Sequence, residues 1–276
     1  MLNFQKLHGL GNDFIFLDQI NPIDYDLQKL AVQLCNRQTG IGADGIILVL
    51  PSDKADIKMR IINSDGSEPN MCGNGIRCFA KYVFEHQIIT KKSFSIETPA
   101  GIIIPELTTE LGKVVLVRVN MGSPKLNRKD IPMIGADSNV VNESLVIHNT
   151  TYFITSMLMT IPHTIVFADR IDETVVISIG KQIERHPTFP KGTNVNFVEV
   201  VNDNEIKVRT WERGAGATLA CGTGACASAV ASILNGKTKS KVLVHLLLGD
   251  LTIEWINDTV FMTGPATNVF SGQINI

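Results

Sequence analysis

The sequence carries little charge and no excess of either sign. Of its 276 residues 19% are charged, below the roughly 25% usual in globular chains, and the formal net charge is −2. A chain that is 44% hydrophobic with so small an imbalance is not a disordered polymer. No basic excess exists to neutralise a phosphate backbone, so nucleic acid is not an expected partner. Long apolar runs are also lacking. The stretch around Val242–Leu248 is broken by His245 and stops at Gly249, well short of the roughly 20 residues a bilayer requires. No membrane partner is expected. The N-terminal Met1–Lys6 lacks the apolar core of a signal peptide.

Cysteine is sparse and odd in number: Cys35, Cys72, Cys78, Cys221 and Cys226. Without a secretion signal these read as free thiols in a reducing cytosol, and the expected location is cytoplasmic. Cys72-x5-Cys78 and Cys221-x4-Cys226 lack the Cys-x-x-Cys spacing of a zinc site, so no metal is expected. Cys35, Cys78 and Cys226 fall in helical apolar patterns and read as small buried hydrophobes.

What the chain does have is an internal repeat. Gly42-Ala-Asp-Gly-Ile-Ile, Asp56-Ile-Lys-Met-Arg-Ile, Asn63 and Cys72-Gly-Asn-Gly recur in order as Gly192-Thr-Asn-Val-Asn-Phe, Glu205-Ile-Lys-Val-Arg-Thr, Glu212 and Cys221-Gly-Thr-Gly. Further out, Asn12 with Ile15-Phe-Leu-Asp pairs with His163 and Val166-Phe-Ala-Asp, and Gly101 pairs with Gly249. The offsets stay between 148 and 151 residues. The matched residues differ in type from one landmark to the next, so a shared alternation of strands and turns does not account for them. The chain reads as two related α+β domains, and 276 residues suffice for two cores. A loop-rich seam is expected near Asp130–Asn149.

Strand signals dominate both halves, at Ile46–Leu50, Ile57–Ile62, Phe94–Glu97, Val114–Asn120, Thr151–Thr155, Thr164–Ala168, Asn196–Val200, Ile206–Trp211, Val242–Leu248 and Leu251–Trp255. Helical spacing is rarer: Leu27, Leu30, Ala31 and Leu34; Ile76, Phe79, Ala80 and Val83; and a small-residue helix from Ala225 that stops at Asn235-Gly236. Each half therefore reads as strands curled around one apolar helix, with Cys-Gly-x-Gly at that helix's start.

A helix start offers unpaired N–H groups and a partial positive charge. A thiol there is biased toward thiolate, and a carboxylate can rest on the N–H groups. Gly73, Gly75, Gly222 and Gly224 would let the backbone approach a ligand. The turn is neither a P-loop nor a dinucleotide fingerprint. If the repeated halves face one another, Cys72 and Cys221 address opposite faces of one bound molecule. That is what inversion of a stereocentre next to a carboxylate requires: one sulfur removes a proton, the other delivers one, and oriented N–H groups hold the charge that develops. Such chemistry needs no cofactor.

The strings Lys6-Leu-His-Gly-Leu-Gly-Asn-Asp-Phe, Asn63-Ser-Asp-Gly-Ser-Glu, Met71-Cys-Gly-Asn-Gly-Ile-Arg-Cys, Pro162-His163, Gly192-Thr-Asn-Val, Glu212-Arg-Gly-Ala-Gly, Ala220-Cys-Gly-Thr-Gly-Ala and Met262-Thr-Gly-Pro-Ala resemble the diaminopimelate epimerase family, which works without pyridoxal phosphate. The resemblance spans nearly the whole chain. It implies two pseudo-symmetric domains, each a strongly curved sheet around a central helix. These would be residues 1–120 with 265–276, carrying Cys72, and residues 121–264, carrying Cys221. It implies that Cys72 and Cys221 are the acid–base pair, with His163 and Glu212 beside them. The substrate α-carboxylate would lie on main-chain N–H groups at Gly73-Asn74 and Gly222-Thr223. The distal end would be held by Asn12, Asn63, Asn194, Glu212 and Arg213, a set suited to a second carboxylate and ammonium. The implied reaction converts LL- to meso-diaminopimelate, in lysine and peptidoglycan-precursor synthesis, by a homodimer acting on a small amino-acid substrate. Two positions depart from the family. Thr160-Ile161 stands where Gly-Asn is usual, and Ala217 where glutamate is frequent. Ile161 keeps open a racemase for another amino acid. A non-catalytic amino-acid-binding protein is a further alternative, disfavoured by the retained cysteines, His163 and Glu212.

Overall fold

The computed structural model describes residues 1–18 and 24–275. It separates into two compact units, Met1–Asn120 with Thr263–Ile276, and Met121–Met262. The first runs β1 (Leu2–Gly9), β2 (Asn12–Leu17), α1 (Leu27–Cys35), β3 (Gly45–Leu50), β4 (Ile57–Asn63), α2 (Gly73–Glu85), β5 (Ile96–Thr98), β6 (Gly101–Ile103) and a hairpin of β7 (Glu106–Glu110) and β8 (Lys113–Asn120). The second runs β9 (Val140–Ile147), β10 (Thr150–Met159), β11 (Ile161–Phe167), α3 (Glu173–Glu184), β12 (Asn194–Asn202), β13 (Glu205–Glu212), β14 (Gly216–Thr218), α4 (Gly222–Leu234), β15 (Lys241–Leu246), β16 (Gly249–Ile256) and β17 (Thr259–Gly264). The chain then returns to the first unit as β18 (Thr267–Ile274), antiparallel to β1.

The repeat seen in the sequence is a repeat of topology. In the first sheet the order is β18-β1-β2-β3-β4-β5-β6, and the corresponding strands of the second unit follow β9-β10-β11-β12-β13-β15-β16. In both, a helix crossover joins two parallel strands, β2 to β3 through α1 and β11 to β12 through α3. A second crossover joins β4 to β5 through α2 and β13 to β15 through α4. Even the register is kept: Ile15 faces Ile46 as Val166 faces Phe197, a shift of 151 on each strand, the same that matches Asn12 to His163.

The central strands β2, β3, β11 and β12 are buried on both faces, which explains their apolar runs. In the first unit Ile46 and Leu48 of β3 join Leu27, Leu30, Ala31 and Leu34 of α1 in one cluster. The Ile47 side chain points the other way, toward the start of α2, as the period of two demands. Helix α2 packs on β1, β2, β3 and β8, burying Ile76, Phe79, Ala80 and Val83. Helix α4 packs on β10, β11, β12, β13, β15 and β16. Its alanines and serines leave little bulk, so strands surround it on most sides, and ten of its thirteen residues are buried. This is the α+β class expected, a sheet curved around one helix in each unit.

Some elements differ from the sequence reading. Strand β9 lies inside the stretch expected to be loop. The strand expected at Phe94–Glu97 forms at Ile96–Thr98. The one expected through Leu248 ends at Leu246, because Leu247 and Leu248 form the turn into β16. Helix α3 carried no expectation, since Thr174-Val-Val-Ile-Ser-Ile is β-branched and favours strand. Tertiary context prevails: Asp172 caps the helix by accepting from the Thr174 and Val175 amides, and Val176, Gly180 and Ile183 are buried at helical spacing.

Gly180 lets α3 approach β13. A Cβ there would lie 2.7 Å from Trp211 Cβ. Alanine ordinarily favours a helix over glycine by roughly 1 kcal/mol, yet Gly180→Ala is expected to destabilise by about 1–3 kcal/mol through overpacking. Urea denaturation measures it, and a gain in stability would contradict the close approach.

Candidate active site

Each unit gathers polar side chains at one end of its sheet, where the central helix begins. In the first unit Asn12 opens β2 and Asn63 closes β4. The parallel β2–β3 and antiparallel β3–β4 pairings bring these residues to the same end. Cys72 is the N-cap of α2, and its sulfur accepts from Gly75 N at 3.4 Å. Gly73 and Asn74, the first helical residues, are buried. Asn12 Oδ1 receives both the Cys72 thiol, at 3.5 Å, and Asn74 Nδ2, at 3.2 Å. The orientation of that amide is set from behind, because Asn12 Nδ2 donates to Asp44 Oδ2 at 2.8 Å and a carboxylate only accepts. Arg37 ties Asp44 to Asp13, which also meets Lys6 at 2.8 Å. Burial works to raise the Asp13 carboxyl, but Arg37 and Lys6 prevail and hold it at about 2. Asn63 is turned to its own loop, donating to Ser67 Oγ at 2.9 Å.

In the second unit His163 on β11 faces Asn194 at the start of the parallel β12. Val195 faces Trp211 on β13, so Glu212 ends that strand beside Asn194. Cys221 caps α4 and is buried. Its sulfur lies 3.5 Å from Thr223 Oγ1. The His163 ring reaches the sulfur through that hydroxyl, with Nε2 3.0 Å from Thr223 Oγ1. Its other nitrogen meets Asn196 Nδ2 at 3.1 Å. Glu212 accepts from Thr218 Oγ1 at 2.6 Å. Arg213 is exposed, its amide donating to Asn194 Oδ1 at 2.8 Å. Asn194 is itself buried, and its Nδ2 has no hydrogen-bond partner among the described residues. Gly222 is buried and Thr223 half-buried at the helix start.

The second glycine of each Cys-Gly-x-Gly turn has a packing reason that sequence reading had assigned to ligand approach. A Cβ at Gly75 would lie 3.0 Å from Ile61 Cδ1, and one at Gly224 2.4 Å from Asn196 Oδ1. At Gly224 only hydrogen fits while Asn196 holds its place, and at Gly75 the Ile61 tip would have to give way to a Cβ.

Burial sorts the thiols. It pushes Cys35 and Cys78 up to about 12, leaving them inert at neutral pH. Cys221 is also raised, first by burial and then by the charge of Glu212, while Thr223 and the Gly224 amide pull it partly back. Burial, with Arg213 nearby, lowers His163 to about 3, so the ring is neutral near pH 7.

The comparisons with known proteins fall on this geometry. The sequence profile of the family described as "Diaminopimelate epimerase" matches residues 4–127 and 155–269. A diaminopimelate epimerase of Heliobacterium modesticaldum is 52% identical over 279 aligned residues, covering 99% of each chain. Another from Caldanaerobacter subterraneus is 49% identical over the full length of both. The chain belongs to the diaminopimelate epimerase family. It is an isomerase, an epimerase by its relatives. Among solved structures, a hydroxyproline epimerase from Agrobacterium vitis superposes with a TM-score of 0.70 at 15% identity, covering 99% of this chain and 90% of the other. A PhzF-family phenazine biosynthesis protein from Bacillus anthracis gives 0.69 at 16%, covering 100% and 99%. At such identities these share the fold.

Departures from the family pattern have visible settings. Thr160 turns β10 into β11 with φ +66°, a backbone suited to the family's glycine and strained for a β-branched residue. Ile161 follows, half-buried, and Ala217 is exposed on β14. Sequence reading passed over Asn196, Thr210 and Asp44. Asn196 sits two residues after Asn194 and Thr210 two before Glu212, so the alternation of a strand places each pair on one face. For Asn196 the available signal was a polar residue beside Phe197-Val198 in β12; Thr210, in the mixed strand β13, and Asp44, before β3, carried none.

The His163 shift has a stability consequence. The unfolded ring titrates near 6.5 and the folded ring at about 3, so between these values the unfolded chain binds a proton that the folded chain declines. This contribution is complete above about pH 6.5 and is lost as pH falls toward 3. The urea midpoint of wild type is expected to drop more steeply from pH 7 to pH 4 than that of His163→Gln. Equal slopes would contradict a buried neutral ring.

Proposed function

We propose that the chain interconverts LL- and meso-diaminopimelate by a cofactor-independent two-base mechanism, supplying lysine and peptidoglycan precursors. One observation carries this reading: two topologically equivalent units each have a cysteine at the N-cap position of the central helix, with a closely seated glycine three residues on. The mechanism requires the two sulfurs to address opposite faces of one α-carbon.

In the forward step Cys221 acts as base after passing its proton to Glu212, and Cys72 acts as acid. The Cys221 thiolate takes the α-proton, and the electron pair left on carbon spreads into the α-carboxylate. N–H groups at Gly73-Asn74 and Gly222-Thr223 stabilise that charge. The Cys72 thiol then delivers its proton to the other face. One proton leaves the carbon and one arrives, Cys221 ends as thiol and Cys72 as thiolate, and the reverse reaction exchanges their roles. The two thiols titrate as a coupled pair. Asn12 directs the Cys72 proton, and His163 serves as a positioning group behind Thr223.

The distal amino-acid end of the substrate is assigned to Asn12, Asn63, Asn194, Glu212 and Arg213. The unpartnered buried Nδ2 of Asn194 supports this, because a buried donor without an acceptor is costly unless a ligand supplies one. Ile161 favours a second reading, a racemase for another amino acid. An apolar side chain there removes a hydrogen bond typically worth about 0.5–1.5 kcal/mol.

Heavy water tests both readings. The purified, reduced protein should wash deuterium into the α-position of diaminopimelate without added cofactor, and a panel of other amino acids should exchange more slowly. Cys72→Ala and Cys221→Ala should each lower turnover at least about 1000-fold, near the upper range for loss of an acid or base. Full activity in either variant eliminates the two-base scheme, and faster exchange with another amino acid selects the second reading.

A further inference from the structure

Four hydrogen bonds in the second unit run end to end. Thr210 Oγ1 lies 3.0 Å from Asn196 Oδ1, and Asn196 Nδ2 3.1 Å from His163 Nδ1. His163 Nε2 lies 3.0 Å from Thr223 Oγ1, which lies 3.5 Å from Cys221 Sγ. His163 and Asn196 are fully buried and Thr210 is 3% exposed. Neither Thr210 nor Asn196 has yet been given a role in the chemistry.

Elementary donor–acceptor rules give this chain a direction. An amide oxygen only accepts, so Thr210 must donate to Asn196. The Asn196 amide is thereby turned with its NH2 toward His163, and an NH2 only donates, so His163 Nδ1 must be the unprotonated nitrogen. A neutral ring then carries its proton on Nε2, and Thr223 Oγ1 receives it. A hydroxyl that accepts from the ring has its own hydrogen free to point elsewhere, and the sulfur of Cys221 lies within reach. A protonated ring would set Nδ1–H against the Asn196 NH2, two donors face to face, with the Arg213 charge nearby as a further penalty. The tight seat of Gly224 on Asn196 Oδ1 holds the amide under the helix start.

We propose that Thr210 and Asn196 are positioning residues whose one-way relay locks His163 as the Nε2–H tautomer and obliges the Thr223 hydroxyl to donate to Cys221. The sulfur then faces a fixed donor whatever its protonation state, and Glu212 is left as the group to accept its proton. The relay favours the thiolate within a buried setting that otherwise disfavours it. Asparagine is specific at this position, because aspartate can only accept. It would draw a proton to Nδ1, free Nε2 to accept from Thr223 and turn the hydroxyl away from the sulfur.

The effect on turnover rests on the epimerase reading, while the tautomer does not, so the primary test is spectroscopic. In free protein labelled with 15N-histidine, with the His163 signals assigned by their loss in His163→Gln, the expected result near pH 7 is a bare Nδ1 and a protonated Nε2. A protonated Nδ1 in wild type overturns the relay. In Asn196→Asp, Nδ1 should become protonated, and kcat for α-proton exchange should fall about 10–100-fold, at or below the lower end of what acid–base assistance contributes, with KM changed less than about threefold. In Thr210→Val, which removes the donor that orients the amide, the Nε2–H tautomer should lose its exclusive population and kcat should fall less. If Asn196→Asp fails to fold, wild type and Thr210→Val decide alone. A loss of kcat with the tautomer unchanged assigns the residues a packing role and overturns the proposal, as does full activity in both folded variants. A wild type inactive on diaminopimelate but holding the Nε2–H tautomer would sink the functional reading and leave the relay standing.

Discussion

The seat of a helix start against a sheet is the constraint on which the rest of this structure depends. In each unit the first turn of the central helix lies so close to the strands that a Cβ on its second glycine would press on a strand side chain, Ile61 at 3.0 Å in one and Asn196 at 2.4 Å in the other. That closeness carries the capping cysteine to the sheet end where polar residues emerge from the strands. It also brings helix N–H groups to the sulfurs, Gly75 N donating to Cys72, and at Cys221 the Gly224 amide offsets part of the rise caused by burial and Glu212. A Cβ at Gly224 would force the helix start and Asn196 apart, and the cysteine from its neighbours with them.

The two units use one topology to give their sulfurs different surroundings. Cys72 meets a fixed acceptor, the oxygen of Asn12, oriented by the acidic and basic cluster of Asp44, Arg37, Asp13 and Lys6. Cys221 meets a hydroxyl backed by a buried neutral histidine and a buried amide. At equivalent places in the repeat, Asn12 stands where the second unit has His163, and Asn63 where it has Glu212. Duplication therefore supplied the frame, and divergence at two strand ends supplied opposite hydrogen-bonding characters. In the two-base mechanism proposed above, this asymmetry is what would let one sulfur begin as acid and the other as base.

Much of the fold was legible because the repeat could be read without knowing the structure. Constant offsets between unlike landmarks imply equivalent positions, and both the topology and the β2–β3 register agree. Helix α2 was legible from the helical spacing of Ile76, Phe79, Ala80 and Val83, and α4 from a run of small helix-forming residues after Ala225 that ends at Asn235-Gly236. Helix α3 was not, since its β-branched residues favour strand and only packing against β13 overrides them. Strand β9 was missed because its exposed positions blur the alternation on which strand reading depends.

The sequence by itself determined the family, the repeat, and the residue types that stand at each helix start. Those are local or periodic properties, and motif spacing preserves them along the chain. Only the tertiary structure decided which atom faces which. It joined His163 to Cys221 through Thr223, brought Asn196 and Thr210 behind the ring, and turned Asn12 toward Cys72 by way of Asp44. The physical reason is that hydrogen-bond direction depends on orientations fixed by neighbours 30 or more residues away in the chain. No pattern of residue types records such orientations.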